Sequence, residues 1–284
     1  MPASSTTPQL TLFVCSDLHL NLLSPHQLDA LTLPAADAYL IAGDTMDGVD
    51  PQLCNWVVEN TRNQPTFLIP GNHDLHGFTR HGAVTALEKA FSHSRVTVLM
   101  DSYAEIAPGL AVYGSDYWTD LKLTHNPEQV SQTLRESWDD FKKIKTESDD
   151  GERSITPEDT VAWHRRAKQK LAEFAEGYQG RYILMTHHGA FKEILPLNHR
   201  NEHSFNELDA AYTSDGRHFI HSLKNKPLLC VNGHLHIRHQ STENGIRLYA
   251  NPRLSEGELA QQTLSVTLCD EQQHQRAQHY STGE

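Results

Sequence analysis

Apolar residues in this chain come in short runs that break off at acidic, amide or histidine positions. Leu10 to Ser16 reads LTLFVCS and stops at Asp17, and Ala38 to Ala42 reads AYLIA and stops at Gly43-Asp44. Runs of this length predict buried strands. Between them Pro25 to Leu33 spaces Leu28 and Leu31 helically, and Asp50 to Asn60 sets Pro51 at a first-turn position ahead of an amphipathic stretch. Thr66 to Ile69 predicts a third strand ending at Pro70-Gly71, Val84 to Phe91 a helix, and Arg95 to Leu99 a fourth strand. This is a β-α-β rhythm.

The pattern then changes. Tyr103 to Ala107 and Leu110 to Tyr113 are short extended pieces joined by Pro108-Gly109, a hairpin signal that opens a second sheet region. From Tyr117 to about Pro157 the chain is polar, with Trp118, Trp138 and Phe141 as isolated apolar anchors and an acidic run from Glu147 to Glu152. No strand pattern is visible there, and the segment reads as a partly helical insertion or lid, 117–157, overhanging a site. A helix follows from Pro157 to about Tyr178, with Thr156 as its N-cap and Trp163, Ala167, Leu171 and Phe174 on one face. Tyr182 to Met185 and Leu228 to Val231 are strands ending at Thr186-His187-His188 and Asn232-Gly233-His234, and Ile246 to Ala250 and Leu264 to Leu268 are extended. No internal repeat interrupts the series, so residues 1–284 read as one domain carrying the insertion.

Composition narrows the class. With 38% hydrophobic and 21% charged residues in 284, the chain is too apolar to be disordered and long enough to bury a core without disulfides. No apolar run approaches the length of a membrane helix, and the polar start carries no secretory pattern, so the expected location is the cytoplasm, away from membranes. Cys15, Cys54, Cys230 and Cys269 form no C-x-x-C pair and read as reduced thiols. A formal charge of -12 argues against long nucleic acid as a partner. The 19 histidines are the unusual figure, because imidazole is the commonest metal ligand.

Where they sit gives the chemistry. Asp17-x-His19, Gly43-Asp44, Gly71-Asn72-His73-Asp74, His187-His188 and Gly233-His234-x-His236 each fall just after a strand run. The C-terminal strand ends of an open α/β sheet share one edge, where ligand sites are built. Carboxylate, amide oxygen and imidazole together suit Mn, Fe or Zn, and the absence of cysteine argues against a structural zinc site. Alternating D-x-H and H-x-H spacing would project both side chains of a pair to one side of an extended segment.

The ordered series resembles the calcineurin-like metallophosphoesterase superfamily, whose blocks are D-x-H, G-D-x-x-D/N, G-N-H-D/E, a histidine after a strand, and G-H-x-H; here they run from Asp17 to His236. The resemblance implies a four-layer α/β/β/α sandwich, two mixed sheets flanked by helices, with two divalent metal ions at one sheet edge, manganese favoured. It implies that Asp17, His19 and His236 hold the first metal, that Asn72, His187 and His234 hold the second, and that Asp44 bridges them. His73 is then the catalytic proton donor or charge stabiliser, with Asp74 orienting its imidazole. Two such cations lower the pKa of a shared water enough to yield hydroxide near neutral pH, polarise phosphoryl oxygens and permit in-line attack.

Other residues carry two readings each. His188 follows His187 directly, but neighbours on an extended segment face opposite ways, which favours His187 as the ligand. Asp47, last in its block, reads as a hydrogen-bonding residue that holds its loop rather than as a ligand. His76 is either a substrate contact or a solvated loop histidine. Trp118, Tyr212, His188 and Arg253 shape a substrate pocket or else pack and brace their segments; Asp116-Tyr117-Trp118, Ala210 to Asp215 and Asn251-Pro252-Arg253 resemble segments of a bacterial small-phosphoesterase subgroup.

Gly48 and Asp74 stand where the protein phosphatase branch carries arginine and glutamate, and His73 stands where the lipid A precursor hydrolases carry arginine. Thr45, Met46 and Asp47 offer no tyrosine of the purple acid phosphatase kind. The expectation is therefore a hydrolase of small phosphoesters, a phosphodiesterase acting on cyclic nucleotides or similar esters ahead of a phosphomonoesterase or nuclease. A non-catalytic scaffold is the competing class, disfavoured because no motif residue is lost. The sequence sets no oligomeric state.

Overall fold

The expected strands form, and the computed structural model, which describes residues 9–196, 206–254 and 257–268, shows what covers each of them. In chain order the elements are β1 (Gln9–Cys15), α1 (Pro25–Ala30), β2 (Ala38–Ala42), α2 (Pro51–Asn60), β3 (Thr66–Ile69), α3 (Arg80–Ala90), β4 (Val96–Val98), β5 (Ser102–Ala107) and β6 (Leu110–Ser115). The insertion holds α4 (Pro127–Ser137), α5 (Asp140–Lys143), β7 (Lys145–Ser148) and β8 (Gly151–Ser154). Then come α6 (Pro157–Gly177), β9 (Arg181–Thr186), α7 (Asp209–Tyr212), α8 (Arg217–Ser222), β10 (Leu229–Val231), β11 (His239–Glu243), β12 (Ile246–Ala250) and β13 (Leu264–Thr267). Cys269 lies outside the described residues, and Cys15, Cys54 and Cys230 are buried and unpaired.

Two mixed sheets result. The first has the order β13-β1-β2-β3-β4, parallel except for β13, and the second β11-β12-β10-β9-β6-β5, parallel through its centre with antiparallel edges. Because side chains alternate along a strand, each sheet has an apolar face for the other and an apolar face for helices. Leu12, Val14, Leu40, Phe67, Val112, Ile183 and Val231 meet between the sheets. Phe13, Tyr39, Ile41 and Leu68 pack outward among Leu53 and Val57 of α2 and Leu87 of α3, while Tyr113, Tyr182 and Leu184 pack among Leu171 and Phe174 of α6 and Ile220 of α8. Each such side chain contributes about 1.5–3 kcal/mol of burial. This is the four-layer sandwich.

Helix starts follow local chemistry. Thr79 Oγ1 accepts the Gly82 N–H at 3.0 Å, so α3 begins at Arg80, four residues before the apolar periodicity that marked Val84. At α6 the Thr156 N–H donates to the Asp159 carboxylate at 2.8 Å, one half of a capping box.

The insertion departs from expectation. It contains a hairpin, β7 against β8, in register from Lys145 opposite Ser154 to Ser148 opposite Gly151. Both strands are short, polar and exposed, so no alternation betrays them. Its apolar anchors form a small core of their own: Trp118, Leu121, Val130, Leu134, Phe141 and Ile144 pack with Leu75, Ala83 and Ala210. The backbone also ties it to the loop after β3, through Gly77 N–H to the Lys143 carbonyl (3.0 Å) and Lys145 N–H to the Phe78 carbonyl (2.8 Å). Among the described residues no helix is long and apolar enough to cross a membrane.

Candidate metal centre

The C-terminal ends of β1, β2 and β3 in one sheet and of β9 and β10 in the other lie along one edge, and short backbone bonds join the loops that leave them. Asp17 N–H donates to the Gly43 carbonyl (2.9 Å), His19 N–H to the Asp44 carbonyl (3.0 Å), and Gly233 N–H to the His187 carbonyl (3.1 Å). The side chains converge by another route than the strand alternation expected from D-x-H and H-x-H. Asp17, His19, Asp44, His234 and His236 all adopt left-handed backbone, with φ of 53°, 41°, 53°, 70° and 52°. Each such non-glycine residue costs about 1–2 kcal/mol and turns the chain sharply at the strand end. Gly43 (φ +87°) and Gly71 leave room for this: a Cβ on Gly71 would lie 2.2 Å from Asp44 Oδ1, and one on Gly43 2.3 Å from His187 Nδ1.

Two ligand sets meet there. Asp17, His19, Asp44 and His236 form one and Asp44, His187 and His234 the other, the donor atoms of each lying within 4.8 Å of one another. Asp44 is common to both. Its Oδ2 stands 3.8 Å from His19 Nε2 and 3.3 Å from His187 Nε2, while its Oδ1 accepts the His73 N–H at 2.9 Å. Asp17 is held by the His234 N–H (2.9 Å) and by Ser16 Oγ (2.5 Å). Asn72 Oδ1 completes the second set, 3.0 Å from His187 Nε2.

The donor chemistry fits cations. His187 Nδ1 donates to the Ala42 carbonyl at 2.8 Å, a bond that turns the Nε2 lone pair toward Asp44 Oδ2 and Asn72 Oδ1. Three electron-rich atoms then face one point. In the other set His19 Nε2 and His236 Nε2 stand 3.2 Å apart, with Asp17 Oδ1 3.3 Å from the latter. Among the described residues, neither the buried His234 Nε2 nor the buried His19 Nδ1 has a hydrogen-bond partner. Buried polar atoms are nearly always satisfied, and a divalent ion would satisfy His234 Nε2. The protonation tendencies agree. Burial lowers the pKa of His19 to about 4 and holds that of His234 well below its ordinary value, so both are neutral ligands near pH 7. His187 differs: burial acts downward, but the Asp44 carboxylate raises it to about 10, and the same negative field would favour a cation at its Nε2.

His73 stands beside these sets at the cleft mouth, its ring 4.7 Å from that of His19 and its side chain 34% exposed. The residue expected to orient it does not. Asp74 is fully buried and accepts the N–H groups of Gly71 (2.8 Å), Thr45 (3.1 Å) and Met46 (3.1 Å). It ties the loop after β2 to the loop after β3. His73 to Leu75 is a turn of 3-10 helix, where successive side chains diverge by about 120°, so Asp74 points inward as His73 points outward. Asp47 holds His73 instead, Oδ1 lying 2.6 Å from Nδ1.

The cleft over this centre measures about 450 Å³ and is lined by Asp44, Asn72, His73, His76, His234 and His236, together with residues from elsewhere. The insertion supplies Trp138, Asp139, Asp140 and Lys143, and α7 supplies Tyr212. Trp138 and Tyr212 pack ring to ring at 5.4 Å, with Tyr212 5.0 Å from His234. Of the five residues expected to contact substrate or shape its pocket, His76 and Tyr212 belong to this wall. Trp118 stacks on His188 at 4.5 Å behind it, His188 Nδ1 bonds the Asp116 carbonyl (3.0 Å), and Arg253 Nε donates to the Leu18 carbonyl (2.5 Å). These three brace the site: burial takes Trp118 and His188 out of the wall, and the bond to Leu18 turns Arg253 toward a different cavity, with Leu23 and Gln27. Asp116 is in turn gripped by Arg80, Nε to Oδ2 and Nη2 to Oδ1, both 2.7 Å.

Sequence reasoning missed Asp140, Asp139, Lys143 and Trp138 because no apolar strand run ends at them. The one local signal is Trp138 and Phe141 flanking Asp139-Asp140, two apolar anchors that turn Asp140 inward and leave Asp139 exposed.

The family model of the calcineurin-like phosphoesterases matches residues 10–238 of the chain. Among solved structures, the phosphopantetheinyl hydrolase from Mycobacterium tuberculosis is similar at 17% identity with a TM-score of 0.64, over 87% of this chain and 90% of that one. A protein of Thermus thermophilus is similar at 14% identity and a TM-score of 0.46, over 92% of this chain and 99% of that one. A putative 5'-nucleotidase from Staphylococcus aureus is similar at 12% identity and a TM-score of 0.47, over 96% of this chain and 58% of that one. No curated protein is similar enough in sequence to count as a match.

Proposed function

Because the chain belongs to the calcineurin-like phosphoesterase family and is a metal-dependent phosphoesterase, we propose that it hydrolyses small phosphodiesters at a binuclear centre. In this reading Asp17, His19 and His236 would hold one divalent cation and Asn72, His187 and His234 the other, with Asp44 common to both sets. The cations, with manganese favoured, would polarise phosphoryl oxygens and acidify water. The protein supplies the rest.

The observation that carries the reading is the pairing of His73 with Asp47 at the mouth of the cleft. The 2.6 Å contact commits Nδ1 and leaves Nε2 directed away from the carboxylate, free to give a proton to a departing alkoxide. Burial lowers the pKa of His73, but Asp44 and Asp47 more than offset it, and the imidazolium that an acid catalyst needs is favoured. Asp44 also accepts the His73 N–H, so the bridging carboxylate and the acid are set by one loop.

Charge in the cleft favours a diester over a monoester. Its wall carries Asp44, Asp139 and Asp140 against the single ammonium of Lys143, which is itself paired with Asp139 at 2.9 Å. At the rim, away from the cations that the two ligand sets would hold, a monoanionic diester meets less repulsion from Asp139 and Asp140 than a dianionic monoester. Trp138 and Tyr212, packed edge to face, offer aromatic surface to an aromatic or nucleobase leaving group. The overall charge of -12 disfavours long nucleic acid, and the unpaired buried thiols suit a reducing cytoplasm. Metal-stripped protein reloaded with manganese is expected to turn over bis-p-nitrophenyl phosphate at least tenfold faster than p-nitrophenyl phosphate. Equal or reversed preference would replace the diesterase reading with a monoesterase.

A further inference from the structure

A buried carboxylate in the insertion touches the metal centre without belonging to it. Asp140 is 5% exposed and lies 68 residues from Asn72 in sequence, yet the Asn72 Nδ2 donates to its Oδ1 and Oδ2 at 3.0 and 3.1 Å. His76 Nε2 meets the same Oδ1 at 2.8 Å. Among the described residues no lysine or arginine forms an ion pair with Asp140. A carboxylate withdrawn from water costs several kcal/mol unless it is well paired, so a neutral amide and one imidazole are thin support for it in a purely structural role.

We propose that Asp140 is a positioning residue for the second cation: it fixes the sense of the Asn72 amide so that Oδ1, and never Nδ2, faces His187, His234 and Asp44. The inference rests on the binuclear reading above. An asparagine amide has two nearly isosteric orientations, and only one presents a lone pair to a metal. With Asp140 in place the reversed amide would set Oδ1 against two carboxylate oxygens and Nδ2 against His187 Nε2 and any cation, both unfavourable. The charge-assisted bond also polarises the amide and makes Oδ1 a better donor.

A consequence follows for the insertion. Asp140 opens α5, which Phe141 and Ile144 anchor in the insertion core and which Lys143 joins by its carbonyl to Gly77. The insertion is thereby a fixed wall of the site rather than a lid that swings clear of it, since opening would release the Asn72 amide. The second cation and the docked insertion support one another.

Manganese binding to the metal-stripped full chain, followed by calorimetry, separates the possibilities. Wild type is expected to bind two equivalents, and D140A to keep the first while weakening the second by about 10–100-fold, the usual effect of losing a partner that orients a ligand. H76A should keep both equivalents, because the Asn72 to Asp140 bond survives in it. The decisive variant is the swap. N72D sets two carboxylates against each other and should weaken the second site, whereas N72D/D140N restores a carboxylate-to-amide bond of reversed polarity with an oxygen still facing the metal. Recovery of the second equivalent to within a few-fold of wild type is the expected result, and a packing role alone would not produce it. Wild-type affinity in D140A, or no recovery in the swap, overturns the inference. Fewer than two equivalents in wild type would instead overturn the binuclear reading beneath it.

Discussion

Asp44→Asn is expected to remove metal and activity together while leaving the chain folded. Asp44 Oδ2 is the atom shared by both ligand sets, 3.8 Å from His19 Nε2 and 3.3 Å from His187 Nε2. An anion between two cations offsets charge at both, and an amide offers a dipole in its place. The loss in affinity should exceed the roughly 10–100-fold typical of partners that only orient a ligand. Folding should survive, because an asparagine Oδ1 can still accept the His73 N–H that Asp44 Oδ1 accepts at 2.9 Å. The variant also relieves repulsion with Asp74, whose carboxyl burial and the Asp44 charge push up to about 7. Elemental analysis after gel filtration, read beside the urea midpoint, checks both halves. A variant that keeps two metals and turnover would remove Asp44 from the centre.

His73→Ala carries the second large effect. The imidazole is one-third exposed, and its Nδ1 is engaged by Asp47. Its removal should therefore leave metal content near wild type. Turnover should fall by about 10²–10⁴-fold for esters with alkoxide leaving groups, the range a lost general acid produces. For p-nitrophenolate, which departs without a proton, the fall should be much smaller. Asp47→Asn should reproduce the same leaving-group dependence in weaker form. Paired rates on an activated and an unactivated diester decide the matter, and equal loss on both would assign His73 to binding rather than proton transfer.

Much of the sandwich and of its motif edge was legible because both depend on short-range pattern. Buried strands such as Ala38–Ala42 announce themselves as uninterrupted apolar runs, and an acid or histidine that ends such a run can only lie at a sheet edge. What eluded the sequence depends on geometry that spacing does not encode. D-x-H and H-x-H suggested extended strands, but Asp17, His19, His234 and His236 are left-handed, so their convergence comes from turns. Asp74 lies next to His73 in sequence and was expected to serve it, yet one turn of 3-10 helix sends the two side chains apart and leaves Asp47, 26 residues earlier, in reach. The insertion was least legible. Its hairpin is polar on both faces, and Asp140 reaches Asn72 only because a small core around Phe141 and Ile144 presses α5 onto the loop after β3.

Two cations acting on one phosphoester is the central claim, and titration of metal-stripped protein with manganese tests it most directly, with bound metal and hydrolysis of bis-p-nitrophenyl phosphate read on the same samples. The converging donors around Asp44 predict that hydrolysis is absent without metal and climbs to a plateau near two bound equivalents per chain. Hydrolysis that persists after chelation, or that saturates at a single equivalent, would contradict it.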